Sequence, residues 1–181
     1  MRSFGENPER VAKQVESAVK GANASGIITT LKHFPGHGDT TLDSHRNIPK
    51  VNKNLNQLEH EDLYPFQRGI DAGADMVMTS HILFPQIDPI NPATLSPLII
   101  RDLLREKMGF NGVVLTDSMN MGAIKKNYPS DEAAIKAIQA GVDMIMLAEE
   151  HYDHDSSIYI EQHMKLIQSV IQAVKKGRIT Q

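Results

Sequence analysis

Cysteine is absent from this sequence of 181 residues, and so is tryptophan. Without cysteine there are no disulfides, no thiolate nucleophile and no cysteine-bound metal. The same absence suits a cytoplasmic or a secreted protein, so the compartment stays open. No apolar run approaches the length of a bilayer span, and no membrane partner is expected. The opening MRSFGENPER holds no apolar signal-peptide core. An excess of one charge is lacking too: the formal net charge is −3, which leaves no basic footprint for nucleic acid. What remains is an ordinary globular composition, 40% hydrophobic and 23% charged. The chain is long enough for one domain with a substantial core. It contains no linker and no low-complexity tract, so residues 1–181 are expected to form one domain.

Short apolar runs alternate with amphipathic stretches. Asn7-Pro8 is a side-chain acceptor followed by proline, which starts a helix whose apolar face is Val11, Val15, Ala18 and Val19. Gly21 to Gly26 ends it, and Ile27 to Leu31 is expected to be a buried strand ending in Lys32-His33. A helical pattern through Leu58, Leu63, Phe66 and Ile70 is expected to break or kink near Pro65. Met76 to Thr79 is the second strand, ending in Ser80-His81. Ser96-Pro97 starts a helix with Ile99, Leu103 and Leu104 on its apolar side, ended by Gly109. Val113 to Thr116 is the third strand, ending in Asp117. A helix over 131–140 precedes a fourth strand, Met144 to Leu147, and a last helix over 158–176 carries Met164, Ile167, Ile171 and Val174 on one face.

The segment GIDAGADMVM (69–78) is echoed by AIQAGVDMIM (137–146). A repeated helix-turn-strand unit is what alternating β/α architectures produce. Strands apolar throughout, without polar alternation, point to a parallel sheet covered by helices. His33, His81, Asp117 and Glu149 each stand at a strand's C-terminal end. In parallel β/α folds those ends open into one mouth, where active sites sit. This convergence is the case for an enzyme.

The richest segment is KHFPGHGDTTLDSH, from Lys32 to His45. Gly36 and Gly38 allow tight turns and close approach to a ligand. Lys32 and His33 can donate to hydroxyl groups. Asp43 and His45 can form a dyad in which the carboxylate fixes the imidazole tautomer and raises its basicity. Such a histidine can protonate a leaving group and later deprotonate water. Asp117 stands at the end of a buried strand, where a carboxylate is costly unless hydrogen-bonded or chemically engaged. It can be a nucleophile or the N-cap of the following turn.

The phrases RSFG, KHFPGHGDT with DSH, GFNGVVLTDSMNM and AGVDMIM resemble family 3 glycoside hydrolases, in their β-N-acetylglucosaminidase (β-N-acetylhexosaminidase) branch. The match runs from Arg2 to the final GRIT. It implies a (β/α) TIM-barrel catalytic domain, an α/β fold with a parallel sheet, and a retaining mechanism on a small carbohydrate substrate with terminal β-linked N-acetylglucosamine. By motif position it implies Asp117 as nucleophile and His45, paired with Asp43, as acid/base. Arg2, Lys32 and His33 fall where that branch holds the sugar, and no cofactor or metal is implied. A histidine acid/base departs from the two-carboxylate scheme of most glycosidases, and it repels a phosphate acceptor less than a carboxylate would. Closing a barrel takes eight strands, against the four counted here, so about half of one is expected. Half a barrel exposes strand edges, which two copies pairing into a closed barrel would cover.

Two other functions are open to the same residues. His33, His37, Asp39 and His45 have the types of a zinc site, though without a recognisable spacing. A non-catalytic fragment is the other. His81 is placed to touch substrate, whereas His37 is expected to shape its loop. HYDHD (151–155) is expected to be a solvated loop, with His60 and His163 on helix surfaces.

Overall fold

The computed structural model describes residues 4–40, 48–148 and 156–180. The first helix, α1 (Pro8–Ala24), starts as its sequence dictates: the Asn7 side chain accepts from the Arg10 N–H at 3.0 Å and proline takes the first helical position. The N–H groups of Ser25, Gly26 and Ile27 return to the carbonyls of Ala22 and Asn23 and close the helix. This closure delays the first strand. Strand β1 runs over Thr30–Phe34 rather than 27–31, and Ile27 and Ile28 are 60% and 70% exposed instead of buried.

Strands β1, β2 (Met76–Thr79) and β3 (Val113–Leu115) form a parallel sheet in that order. Thr30 lies opposite Met76, which lies opposite Val113. The expected fourth strand is present in position but not as a regular ladder. Residues 143–148 run beside β3 with one parallel bridge, Leu115 to Met144. Its remaining ties go partly through side chains: Met146 N–H donates to Thr116 Oγ1 at 2.9 Å, and Ala148 N–H to Ser118 Oγ at 3.1 Å. Hydroxyl groups replace main-chain acceptors here, which explains why an apolar strand pattern yields an irregular one.

Helices cover the sheet. Helix α2 (Leu55–Glu61) has a reciprocal cap between Asn54 and Gln57. The break before α3 (Leu63–Asp71) comes at Asp62, a turn ahead of Pro65. Proline lacks the N–H that would reach the Glu61 carbonyl four residues back, so α2 stops at Glu61. Leu98–Lys107 is a π-helix that buries Ile99, Ile100, Leu103 and Leu104, and Met108 N–H closes it on the Leu103 carbonyl five residues back. Next come a short helix, α4 (Gly122–Lys125), and α5 (Ser130–Ala140). Helix α6 (Ser156–Lys175) packs on α5, but Met164, Ile167 and Ile171 of its expected core face are exposed. Among the described residues no element covers that stripe, and no helix is long and apolar enough to cross a membrane.

The internal repeat has a structural cause. Gly73 and Gly141 occupy equivalent helix ends with φ of +89° and +107°, a region that disfavours side chains. Two residues on, Asp75 Oδ2 accepts from Thr29 N–H at 2.8 Å and Asp143 Oδ2 from Val114 N–H at 2.7 Å. In each copy the aspartate satisfies a backbone donor at the start of the neighbouring strand. These hydrogen bonds hold the Asp75 carboxyl below its ordinary range. Phe34, Val77, Ile82, Phe84, Ile99, Leu104, Val114 and Ile124 fill the interior between sheet and helices with no measurable exposure. The fold is thus an α/β arc of parallel strands covered by helices, a partial barrel.

Candidate active site

The strand ends bring two distant residues together. His33, at the end of β1, places Nε2 3.6 Å from Oδ2 of Asp117, just beyond β3, and both side chains are about a quarter exposed. The Lys32–His33 and Phe34–Pro35 peptide bonds are cis. The two oxygens of Asp117 have different surroundings. Oδ1 accepts from the Ser118 N–H at 2.8 Å, and Oδ2 faces His33. One oxygen is therefore oriented by the backbone while the other faces the half-open mouth. A carboxylate so held can attack an electrophilic carbon, and the imidazole beside it can donate to a hydroxyl. Lys32 is exposed beside His33. Arg2, Asp43 and His45, with Glu149 and the HYDHD stretch, lie outside the described residues.

His81, just past the end of β2, is buried within the protein. It is 1% exposed, with Nδ1 2.9 Å from Thr94 Oγ1 and Nε2 2.9 Å from the Ser118 carbonyl. Both ring nitrogens are engaged by the protein. His81 thereby forms a buried link between the ends of β2 and β3.

The loop after β1 is anchored by a residue with no motif around it. Lys53 pairs with Asp39, with Glu61 at 2.7 Å and with Asp62 at 2.6 Å. Burial opposes its charge, but the three carboxylates outweigh that and hold its ammonium above the ordinary lysine range. Burial likewise raises Asp62 above the usual carboxylate range despite Lys53. Among the described residues, Asp39, Glu61 and Asp62 are the acidic group with metal-site spacing, and Lys53 supplies the cation there. The His33 and His37 rings meet edge to face with centroids 5.6 Å apart, but among the described residues they form no ligand cluster with Asp39: His33 faces Asp117, His37 Nδ1 lies 3.0 Å from Thr40 Oγ1, and Asp39 pairs with Lys53. Gly36 makes a close approach, but to protein: a Cβ there would lie 2.5 Å from Asp62 Oδ1.

The whole chain, residues 1–181, matches the glycosyl hydrolase family 3 N-terminal domain. The chain belongs to glycoside hydrolase family 3. Its relatives in this family include β-hexosaminidase A of Pseudoalteromonas piscicida, 39% identical over 81% of this chain and 27% of the relative. The β-hexosaminidase of Stenotrophomonas maltophilia is 40% identical over 81% of this chain and 43% of its own length. The chain therefore spans well under half of either relative. Among solved structures, the family 3 β-N-acetylglucosaminidase of a Paenibacillus species superposes with a TM-score of 0.90 at 41% identity, covering 99% of this chain and 33% of that one. The β-N-acetylglucosaminidase of Thermotoga maritima gives 0.85 at 33% identity, over 99% and 37%. The partial barrel is thus a family 3 fold over nearly all of its length.

Sequence reasoning missed Ser118, Thr94 and Lys53. Ser118 had a signal, since it directly follows a strand-end aspartate. Thr94 and Lys53 had none, because their partners lie across an intervening loop or helix rather than within a local motif.

Proposed function

We propose that this chain carries the nucleophile-bearing half of a retaining β-N-acetylglucosaminidase. The observation that carries the proposal is Asp117, with Oδ1 held by the Ser118 N–H and Oδ2 3.6 Å from His33 Nε2 at the mouth of the strands. Family membership and the names of the relatives support the sugar class. In the first step Asp117 attacks the anomeric carbon of a terminal β-linked N-acetylglucosamine while His45, oriented by Asp43, protonates the departing glycosidic oxygen. The carbon–oxygen bond breaks and a glycosyl–aspartate ester forms. In the second, His45 takes a proton from water, whose oxygen attacks the same carbon and frees Asp117 with the β configuration restored. Arg2, Lys32 and His33 bind sugar hydroxyls. Cell-wall (peptidoglycan) fragments are the proposed source of the substrate.

Two copies of the chain are proposed to complete the barrel. The outer edge of β1 has no partner among the described residues, Ile27, Ile28 and Met144 are exposed, and the stripe on α6 lies open. The same open surfaces favour the second function, a fragment without activity of its own.

Hydrolysis of an aryl N-acetyl-β-glucosaminide by the chain and by its Asp117→Ala variant tests the proposal. Turnover lost in the variant supports it. No turnover in either assigns the chain the non-catalytic role. Product analysis in phosphate buffer, against a buffer without phosphate, shows whether water or phosphate is the acceptor.

A further inference from the structure

We propose that His81 is a positioning residue for Asp117, setting the turn that carries the carboxylate by gripping the Ser118 carbonyl. This rests on the assignment of Asp117 as nucleophile. His81 stands at the end of β2, the strand between those that carry His33 and Asp117. A carbonyl oxygen only accepts, so the 2.9 Å contact to Ser118 requires the imidazole proton on Nε2. The other nitrogen lies 2.9 Å from Thr94 Oγ1, itself 2.8 Å from Thr79 Oγ1. Thr79, Thr94 and His81 are all essentially unexposed. A polar ring is buried at a cost unless its bonds are made, so this network fixes the ring in one orientation.

The far end of that grip is specific. Ser118 supplies the N–H that orients Asp117 Oδ1, and its hydroxyl donates to the Ala148 carbonyl at 2.6 Å. Its carbonyl accepts from His81 and from the Met121 N–H at 3.1 Å. The residue that aims the carboxylate is thus held from β2 on one side and from the 143–148 segment on the other. A leucine at position 81 would fill the space and leave the turn without its β2 anchor. A glutamine would carry an amide N–H in place of Nε2.

The test compares His81→Leu and His81→Gln in the full chain, by amide hydrogen exchange and by steady-state kinetics on the aryl glycoside. In His81→Leu the amides of Ser118 and Met121 should exchange at least about tenfold faster, while Val77 and Val114 in the strands keep their rates. The same variant should lose about tenfold or more in kcat with KM within about twofold of wild type, and His81→Gln should recover most of both. Uniformly faster exchange, unchanged exchange, or a glutamine variant no better than leucine would each overturn the proposal. Should the unaltered chain show no turnover, the glycosidase assignment fails by itself. The exchange pattern then decides separately whether His81 holds the turn.

Discussion

Replacing Thr94 by valine keeps the shape of a fully buried side chain and deletes one hydroxyl. That hydroxyl meets three groups: His81 Nδ1 at 2.9 Å, Thr79 Oγ1 at 2.8 Å and the Ser80 carbonyl at 2.9 Å. The carbonyl retains the Thr94 N–H at 3.1 Å, so it is not stranded. His81 Nδ1 and the Thr79 hydroxyl each lose a partner away from water, at about 1–3 kcal/mol apiece. Exchanging a buried hydroxyl for a methyl returns roughly 1 kcal/mol of transfer free energy. The net expectation is a loss of about 1–5 kcal/mol, with its midpoint near 3 kcal/mol. Thr94→Ser is the control, since it keeps the hydroxyl and loses one methyl, for about 1 kcal/mol. In urea unfolding followed by far-UV circular dichroism, the valine variant should unfold about 1 M earlier than wild type at an unchanged slope. A valine variant as stable as the serine one would refute the reasoning, because the hydroxyl would then contribute nothing to the network.

Further outcomes follow from other parts of the molecule. His45→Ala should slow glycosides with poor leaving groups by about 10²-fold or more while sparing activated aryl glycosides, and equal losses would remove His45 from the acid role. Burial of Asp88 opposes its charge, but the N–H groups of Asn91 and Ile90 outweigh this and hold its carboxyl below the ordinary range. A depressed carboxylate stabilises the fold above its unfolded pKa, and that contribution is lost as pH falls through the lower folded value. The stability gap between wild type and Asp88→Ala should therefore be full near neutrality and close below about pH 4, and a pH-independent gap in thermal unfolding would contradict this. Light scattering should return twice the 20.1 kDa chain mass if two copies complete the barrel, and a monomer would end that proposal. Asp143→Ala should destabilise the chain, since its carboxylate holds both the Val114 N–H and Arg105, and its unfolding midpoint in urea should fall.

Much of this protein was legible one residue at a time. Asn7-Pro8 and Ser96-Pro97 start helices because capping and proline geometry act locally. The Ala-Gly turn with its aspartate recurs because each copy solves the same local problem at a helix end. The strand-end positions of His33, His81 and Asp117 followed from the same periodicity, and the phrases around them carried the family. Packing decided the rest. That His33 meets Asp117 while His81 turns inward depends on sheet order, and sheet order is a choice among non-local pairings that no window of sequence contains. Ser118 found its anchors for the same reason, whereas Lys53 met its three carboxylates through the way the loop after β1 folds onto α2. Ile27, Ile28 and the α6 stripe show the converse. Their apolar character requires a covering surface, but whether one is present depends on the assembled tertiary structure, because burial is a property of neighbours and not of the side chain itself.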